Sequence, residues 1–172
     1  MILFLTGFMG SGKSTVGRGV ARLLKVPFID LDSAIENEEG ISVPEIFSRK
    51  GELYFRESES RVLRSLPSRY DSAVVATGGG TPCYGGNIDF MLNTGIVVYL
   101  SMPPAAIVSR LRGGERSSRP LIASLDDDEL LPYVSGKLKE REPFYRRATL
   151  VAGALNATPE KITGLLRDNG YL

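Results

Sequence analysis

The 172-residue chain contains no histidine and a single cysteine, Cys83. The first absence removes Ser-His triads, histidine general bases and histidine metal ligands. The second removes any internal disulfide and any cysteine-based zinc site, and a chain that does without disulfides suits a reducing compartment. An excess of one charge is lacking too: 21 Lys+Arg against 20 Asp+Glu leave a formal net charge of +1. No global field therefore draws the chain to nucleic acid or to a membrane surface. No apolar run approaches the ~18 residues that a membrane span needs. The start, MILFL followed by Thr6 and Gly7, has no basic region ahead of its apolar stretch, so no signal peptide is predicted. The expectation is a cytoplasmic protein, a monomer, without nucleic-acid or membrane partners.

The length fits a single domain spanning 1–172, large enough to bury about 70% of its extended surface without staples. Apolar residues make up 42% and charged residues 24%, the composition of an ordinary globular chain. Arginine outnumbers lysine 15 to 6. Arginine is the side chain for forked recognition of carboxylate and phosphate, so its positions carry information.

Short apolar runs alternate with helical patterns. Strands are predicted at 2–5, 27–30, 73–77, 96–100 and 150–152, and helices at 14–24, 42–49, 52–66, 87–93, 104–111, 126–140 and from 158 onward. Ser42 and Glu45 have capping-box spacing. The order Thr158-Pro159-Glu160 is that of an N-cap followed by proline at the first helical position. Near-continuous apolar strands joined by helices argue for a parallel sheet covered on both faces. The stretch 113–124 (GGERSSRPLIAS) is polar, glycine-bearing and without periodicity. It reads either as a plain surface loop or as a mobile lid.

The sequence GFMGSGKS at 7–14 matches G-x-x-x-x-G-K-[ST], for which this composition predicts ~0.01 chance matches. A strand precedes it and a helix follows, as the chemistry requires. Gly10, Ser11 and Gly12 let backbone N–H groups close around phosphates at a helix N-terminus. Lys13 would reach the β- and γ-phosphates, and the Ser14 hydroxyl would ligate Mg²⁺. Nucleoside triphosphate binding follows.

Other residues must select the acceptor. Asp30 and Asp32 close the second strand, where alternation would put both carboxylates on one side at the carboxyl end of a parallel sheet. One could hold Mg²⁺ through water and the other orient or deprotonate a hydroxyl. Solvated acids with capping duty are the plainer reading. Glu59 is placed to hold the fork of Arg56 three residues earlier, although such pairs are often mere surface contacts. Gly78, Gly79 and Gly80 follow the third strand and favour close backbone approach to a ligand over a simple turn. Arg119 lies in the polar stretch, and Arg141 ends the long helix in REPFY. Cys83 reads as a packed small residue.

Together these motifs resemble the shikimate kinase family. Its pattern is a GFMGxGKST loop, D-x-D, G-E-x-x-F-R, G-G-G, R-P-L and R-x-P-x-Y. The chain has GFMGSGKST at 7–15, DLD at 30–32, GELYFR at 51–56, GGG at 78–80, RPL at 119–121 and REPFY at 141–145, all in order. The resemblance covers essentially the whole chain. It implies an α/β, P-loop kinase, three-layer sandwich with a five-stranded parallel sheet flanked by helices. It also implies a mobile lid near 113–124 and a substrate-binding region near 32–64. The implied reaction is transfer of the γ-phosphoryl of ATP to the 3-hydroxyl of shikimate, with Mg²⁺, on the route to chorismate.

Residue by residue, the resemblance makes Gly10 to Thr15 the ATP loop, Lys13 the phosphate clamp, and Ser14 and Asp30 the Mg²⁺ ligands. Asp32 would meet the acceptor hydroxyls, Arg56 and Arg141 the shikimate carboxylate, and the middle Gly79 a ring hydroxyl through its amide, with Gly78 and Gly80 beside it. Arg119 would reach the ATP phosphates and Arg112 would pack on adenine. The fifth strand and the loop after it, VAGALNAT at 151–158, depart from the family pattern, which leaves adenine contacts there to backbone. Another small-metabolite P-loop kinase, such as a gluconate kinase, is the nearest alternative. A non-catalytic nucleotide-binding regulator is another.

Overall fold

Each apolar run becomes a strand because helices cover it on both sides. The computed structural model describes residues 1–113 and 120–172. Five strands, β1 (Ile2–Thr6), β2 (Phe28–Asp30), β3 (Ala73–Ala76), β4 (Gly95–Ser101) and β5 (Leu150–Gly153), form one sheet in the order β2-β3-β1-β4-β5. Every pairing is parallel, and Leu3 of β1 lies opposite Val74 on one side and Ile96 on the other. All of β1 is buried, as a central parallel strand must be.

Alternation along β1 builds two cores. Leu3 and Leu5 pack with Val16 and Val20 of α1 (Lys13–Leu24), Ile107 of α5 (Pro104–Arg112), Leu138 of α6 (Asp127–Tyr145) and Ile162 of α7 (Pro159–Asp168). Ile2 and Phe4 pack with Ile35 of α2 (Leu31–Glu39), Leu63 of α3 (Val43–Arg69) and Met91 of α4 (Asn87–Thr94). The result is the three-layer sandwich with a five-stranded parallel sheet that the sequence implied. No helix among the described residues is long and apolar enough to cross a membrane.

The capping signals operate as written. Ser42 accepts from the Glu45 amide at 3.4 Å while the Ser42 amide donates to the Glu45 carboxylate at 3.1 Å. Thr158 accepts from the Lys161 amide at 3.3 Å and opens α7.

Three predicted boundaries shift. The helices expected at 42–49 and 52–66 are one run, α3, interrupted only at Gly51, whose φ of 84° and ψ of 169° turn the chain for a single residue. A left-handed φ of this kind favours glycine. Helix α6 was expected to stop at 140 but continues to Tyr145 through Pro132 and Pro143. Burial of Leu138, Arg141 and Tyr145 along one side holds that last turn in place of the missing proline hydrogen bond. Asp32 lies not on a strand but in the first turn of α2. Strand β2 pairs with β3 over three residues only, from Phe28 to Asp30, and Asp30 then becomes the N-cap of α2.

Candidate active site

The loop between β1 and α1 is shaped by glycines. Gly10 and Gly12 have φ of 81° and 90°, a left-handed conformation in which a side-chain-bearing residue would be strained. Lys13 Nζ donates to the carbonyls of Gly7 and Phe8, both at 2.9 Å, and is thus drawn across the mouth of the loop. A cavity of about 530 Å³ opens here, lined by Gly10, Gly12, Lys13, Ser14 and Thr15 together with Asp30 and Asp32. Ser11 is packed inside the loop rather than on this lining. At the cavity floor Ser14 Oγ donates to Asp30 Oδ2 at 2.7 Å. A hydroxyl and one carboxylate are the hard oxygen donors that a phosphate-bound Mg²⁺ uses, with water and phosphate completing the shell. Among the described residues no group of three or more Asp, Glu or Cys could cage a metal alone.

A second cavity, about 180 Å³, adjoins the first, and Met9, Asp32, Gly78 and Gly79 line both. Asp32 therefore stands at the junction. Its side chain is exposed toward the cleft yet is crowded by protein on its other sides. That crowding, then the charges of Glu59 and Asp30, push its carboxyl up to about 6, with Lys13 pulling the other way. A carboxylate poised close to neutral pH is suited to accept a proton.

The far wall carries two buried arginines. Arg56 Nη1 donates to Glu59 Oε2 at 3.0 Å and Nη2 to Glu52 Oε1 at 3.2 Å. Glu59, fully buried, also accepts from Thr81 Oγ1. Burial disfavours the Arg56 cation, but Glu59 and Glu52 outweigh it and hold the guanidinium charged. Burial likewise pushes Glu59 up, opposed by Arg56, Thr81 and Arg141. Arg141 arrives from α6 and lies over the Phe8 ring, 5.3 Å from its centre. Both arginines are over nine-tenths buried, yet among the described residues Arg56 Nε and Arg141 Nη1 have no hydrogen-bond partner. Buried donors left open in this way imply a missing acceptor. Phe47 and Phe55 supply an apolar wall beside them.

The triple glycine is needed for space. None of Gly78, Gly79 and Gly80 has a left-handed φ. A Cβ on Gly78 would fall 2.7 Å from Glu59 Oε1, and one on Gly80 would fall 2.6 Å from Arg56 Nη2. Gly80→Ala is therefore expected to push the Arg56 fork off its carboxylates and raise the KM for the acceptor about tenfold, with the KM for ATP little moved. Steady-state kinetics with each substrate varied would check this, and an unchanged acceptor KM would show that Arg56 gives way freely.

Of the residues singled out in sequence, Lys13, Ser14, Asp30, Asp32, Arg56, Gly78, Gly79, Gly80 and Arg141 converge on these two cavities. Arg112 lies at the exposed end of α5, where Nη2 donates to the Asp127 carbonyl at 3.2 Å. Arg119, with the rest of 114–119 in the stretch read as a lid, lies outside the described residues, although Pro120 and Leu121 line the smaller cavity. Arg110 was missed: its Nη1 donates to the Gly10 carbonyl at 3.1 Å and it lines the phosphate-loop cavity. Only the pairing of β1 with β4 brings α5 there, and no local motif signals it. Glu36, on the wall of the smaller cavity, was missed as well.

Known proteins resemble the chain in sequence and in fold. A family model described as shikimate kinase matches residues 9–167. A shikimate kinase of Bacteroides fragilis is 42% identical over 149 residues, covering 87% of this chain and 82% of the relative. Among solved structures, shikimate kinase from Bacteroides thetaiotaomicron superposes with a TM-score of 0.89 at 38% identity, covering 100% of this chain and 99% of that one. Shikimate kinase from Acinetobacter baumannii in complex with shikimate gives a TM-score of 0.87 at 37% identity, covering 99% of this chain and 95% of that one.

Proposed function

The chain belongs to the shikimate kinase family, and from that premise we propose that it transfers the γ-phosphoryl of ATP to the 3-hydroxyl of shikimate, giving ADP and 3-phosphoshikimate. The observation that carries the choice of acceptor is the pair of open guanidinium donors, Arg56 Nε and Arg141 Nη1, beside a ring-sized cavity. Two forks from separate helices fit one small carboxylate, and hydrogen bonds to charged groups are worth ~1.5–3 kcal/mol each. A cavity of about 180 Å³ suits a small ring acid better than a second nucleotide.

In this reading the carboxylate is held at Arg56 and Arg141, so the ring projects a hydroxyl toward Asp32. Asp32 accepts the hydroxyl proton as the oxygen attacks. Lys13 leaves the Gly7 and Phe8 carbonyls for the β- and γ-phosphates, helped by the amides of the loop. Arg110 adds a cation at the loop edge. Arg119 reaches the phosphates, and Arg112 packs on adenine. Ser14 and Asp30 would hold Mg²⁺, whose contribution is to neutralise the β- and γ-phosphate oxygens. Transfer in this reading is direct and in line, and a phosphohistidine carrier is excluded because the chain has no histidine. Catalysis then rests on position and charge.

The deciding experiment is a coupled ADP-release assay with ATP and Mg²⁺ against shikimate, gluconate and nucleoside monophosphates. Release dependent on shikimate alone is the expected result. Equal release with gluconate, or none with any acceptor, would overturn the reading.

A further inference from the structure

We propose that Tyr145 is a positioning residue for the acceptor, acting through the peptide plane of the triple glycine. The inference rests on the assignment of the smaller cavity to shikimate. Three successive glycines have no side chains to anchor them, and each loses more backbone freedom on ordering than any other residue. Something must fix their peptide planes if their amides are to serve as a binding surface.

The carbonyls show what does so. Gly78 O accepts from the Thr81 amide at 3.2 Å, and Gly80 O accepts from the Cys83 amide at 2.9 Å, both within the short turn itself. Gly79 O accepts instead from a side chain of another element, Tyr145 Oη, at 2.5 Å. Among the described residues no peptide bond is cis. In a trans peptide the C=O and the following N–H point in opposite directions. A Gly79 carbonyl held toward Tyr145 thus directs the Gly80 N–H away from Tyr145, and Gly80 lines the acceptor cavity while Tyr145 does not.

Tyr145 is itself held firmly. Its side chain is fully buried, and its ring stacks on Tyr99 with centres 5.0 Å apart and planes 27° apart. Burial raises its phenol well above the ordinary value, so the hydroxyl stays a donor through the working pH range. It follows Arg141 by four residues on α6, which places both on one side of that helix. A Cβ on Gly79 would fall 3.3 Å from Arg141 Nη1. One helical turn therefore presents both a cation for the carboxylate and a clamp on the glycine turn. A ring held at its acid by Arg141 meets the Gly80 amide, one peptide beyond the Gly79 amide that the resemblance assigns to a ring hydroxyl, in a direction that the same turn has set.

Tyr145→Phe removes one O–H and keeps the stacked ring. The expected result is a rise of roughly five- to twenty-fold in the KM for shikimate, with kcat and the KM for ATP within about twofold of wild type. Loss of packing alone would move both KM values or lower the melting temperature, so thermal unfolding is followed in parallel. Deoxy analogues of shikimate, each lacking one ring hydroxyl, give a second readout. The penalty of Tyr145→Phe should vanish for the analogue that lacks the hydroxyl bound at the glycine turn, because the two deletions then remove the same interaction. An unchanged shikimate KM in the variant, or an equal penalty with every analogue, overturns the proposal while wild-type turnover of shikimate leaves the function standing. Failure of wild type to phosphorylate shikimate overturns both.

Discussion

Replacement of Asp32 by Asn is expected to lower kcat by roughly 10²–10⁴-fold, the usual range for loss of a general base, while ATP affinity changes little. The amide keeps the shape of the side chain at the junction of the two cavities but cannot take a proton. The pH profile makes the expectation sharper. Crowding by protein, with Glu59 and Asp30 nearby, raises the Asp32 carboxyl to about 6. A base must be ionised to act, so kcat/KM for shikimate should fall tenfold per pH unit below about 6 and level off above it. That limb belongs to the free enzyme, in which the Asp32 side chain is exposed. In the Asn variant the limb should be gone, leaving a low rate that does not respond to pH in this range. Near-normal turnover in the variant, or an acid limb that survives in it, would remove Asp32 from the role of base.

How much of this was legible in sequence depended on whether a feature is local. The phosphate loop is a run of consecutive residues whose backbone needs are met by Gly10 and Gly12, so pattern alone located it. A sheet covered on both faces followed from near-continuous apolar strands joined by helices, and the two cores are those two faces. Asp32 was recognised as a site residue by its motif but placed on a strand. The length of β2 is set by pairing with β3, which no pattern within 27–32 records. The partnership of Arg56 with Glu59 is a three-residue spacing and could be read, whereas the second support from Glu52 was not singled out. Convergence of Arg56 with Arg141 came only through family resemblance. In physical terms it requires α3 and α6 to meet at the triple glycine, and that is a product of sheet order. Arg110 and the bond from Tyr145 to Gly79 are likewise products of packing between distant segments.

The two buried arginines should separate cleanly by experiment, because their surroundings differ. Arg141→Ala removes a cation that lies over Phe8 and has an open Nη1. The shikimate carboxylate is then half-paired in a partly dry site, and a loss of roughly 2–4 kcal/mol in kcat/KM is expected, about 30- to 1000-fold, with ATP binding little changed. Arg56→Ala should show the same kinetic loss and a further one in stability. It strands Glu59, fully buried and left with only Thr81 and the more distant Arg141 to offset its charge. Breaking one side of a buried ion pair typically costs ~3–5 kcal/mol, so the melting temperature should drop on the order of 10 °C. Arg56→Ala combined with Glu59→Gln removes the stranded charge and should recover much of that temperature without recovering shikimate affinity. Arg56→Lys should keep part of the stability through its charge but little of the affinity, since an ammonium has neither the Nε donor left open here nor the planar fork. Kinetics with each substrate varied, alongside thermal unfolding, tests all four variants. A fall in ATP affinity with shikimate affinity intact would mean that the two cavities have been assigned the wrong way round.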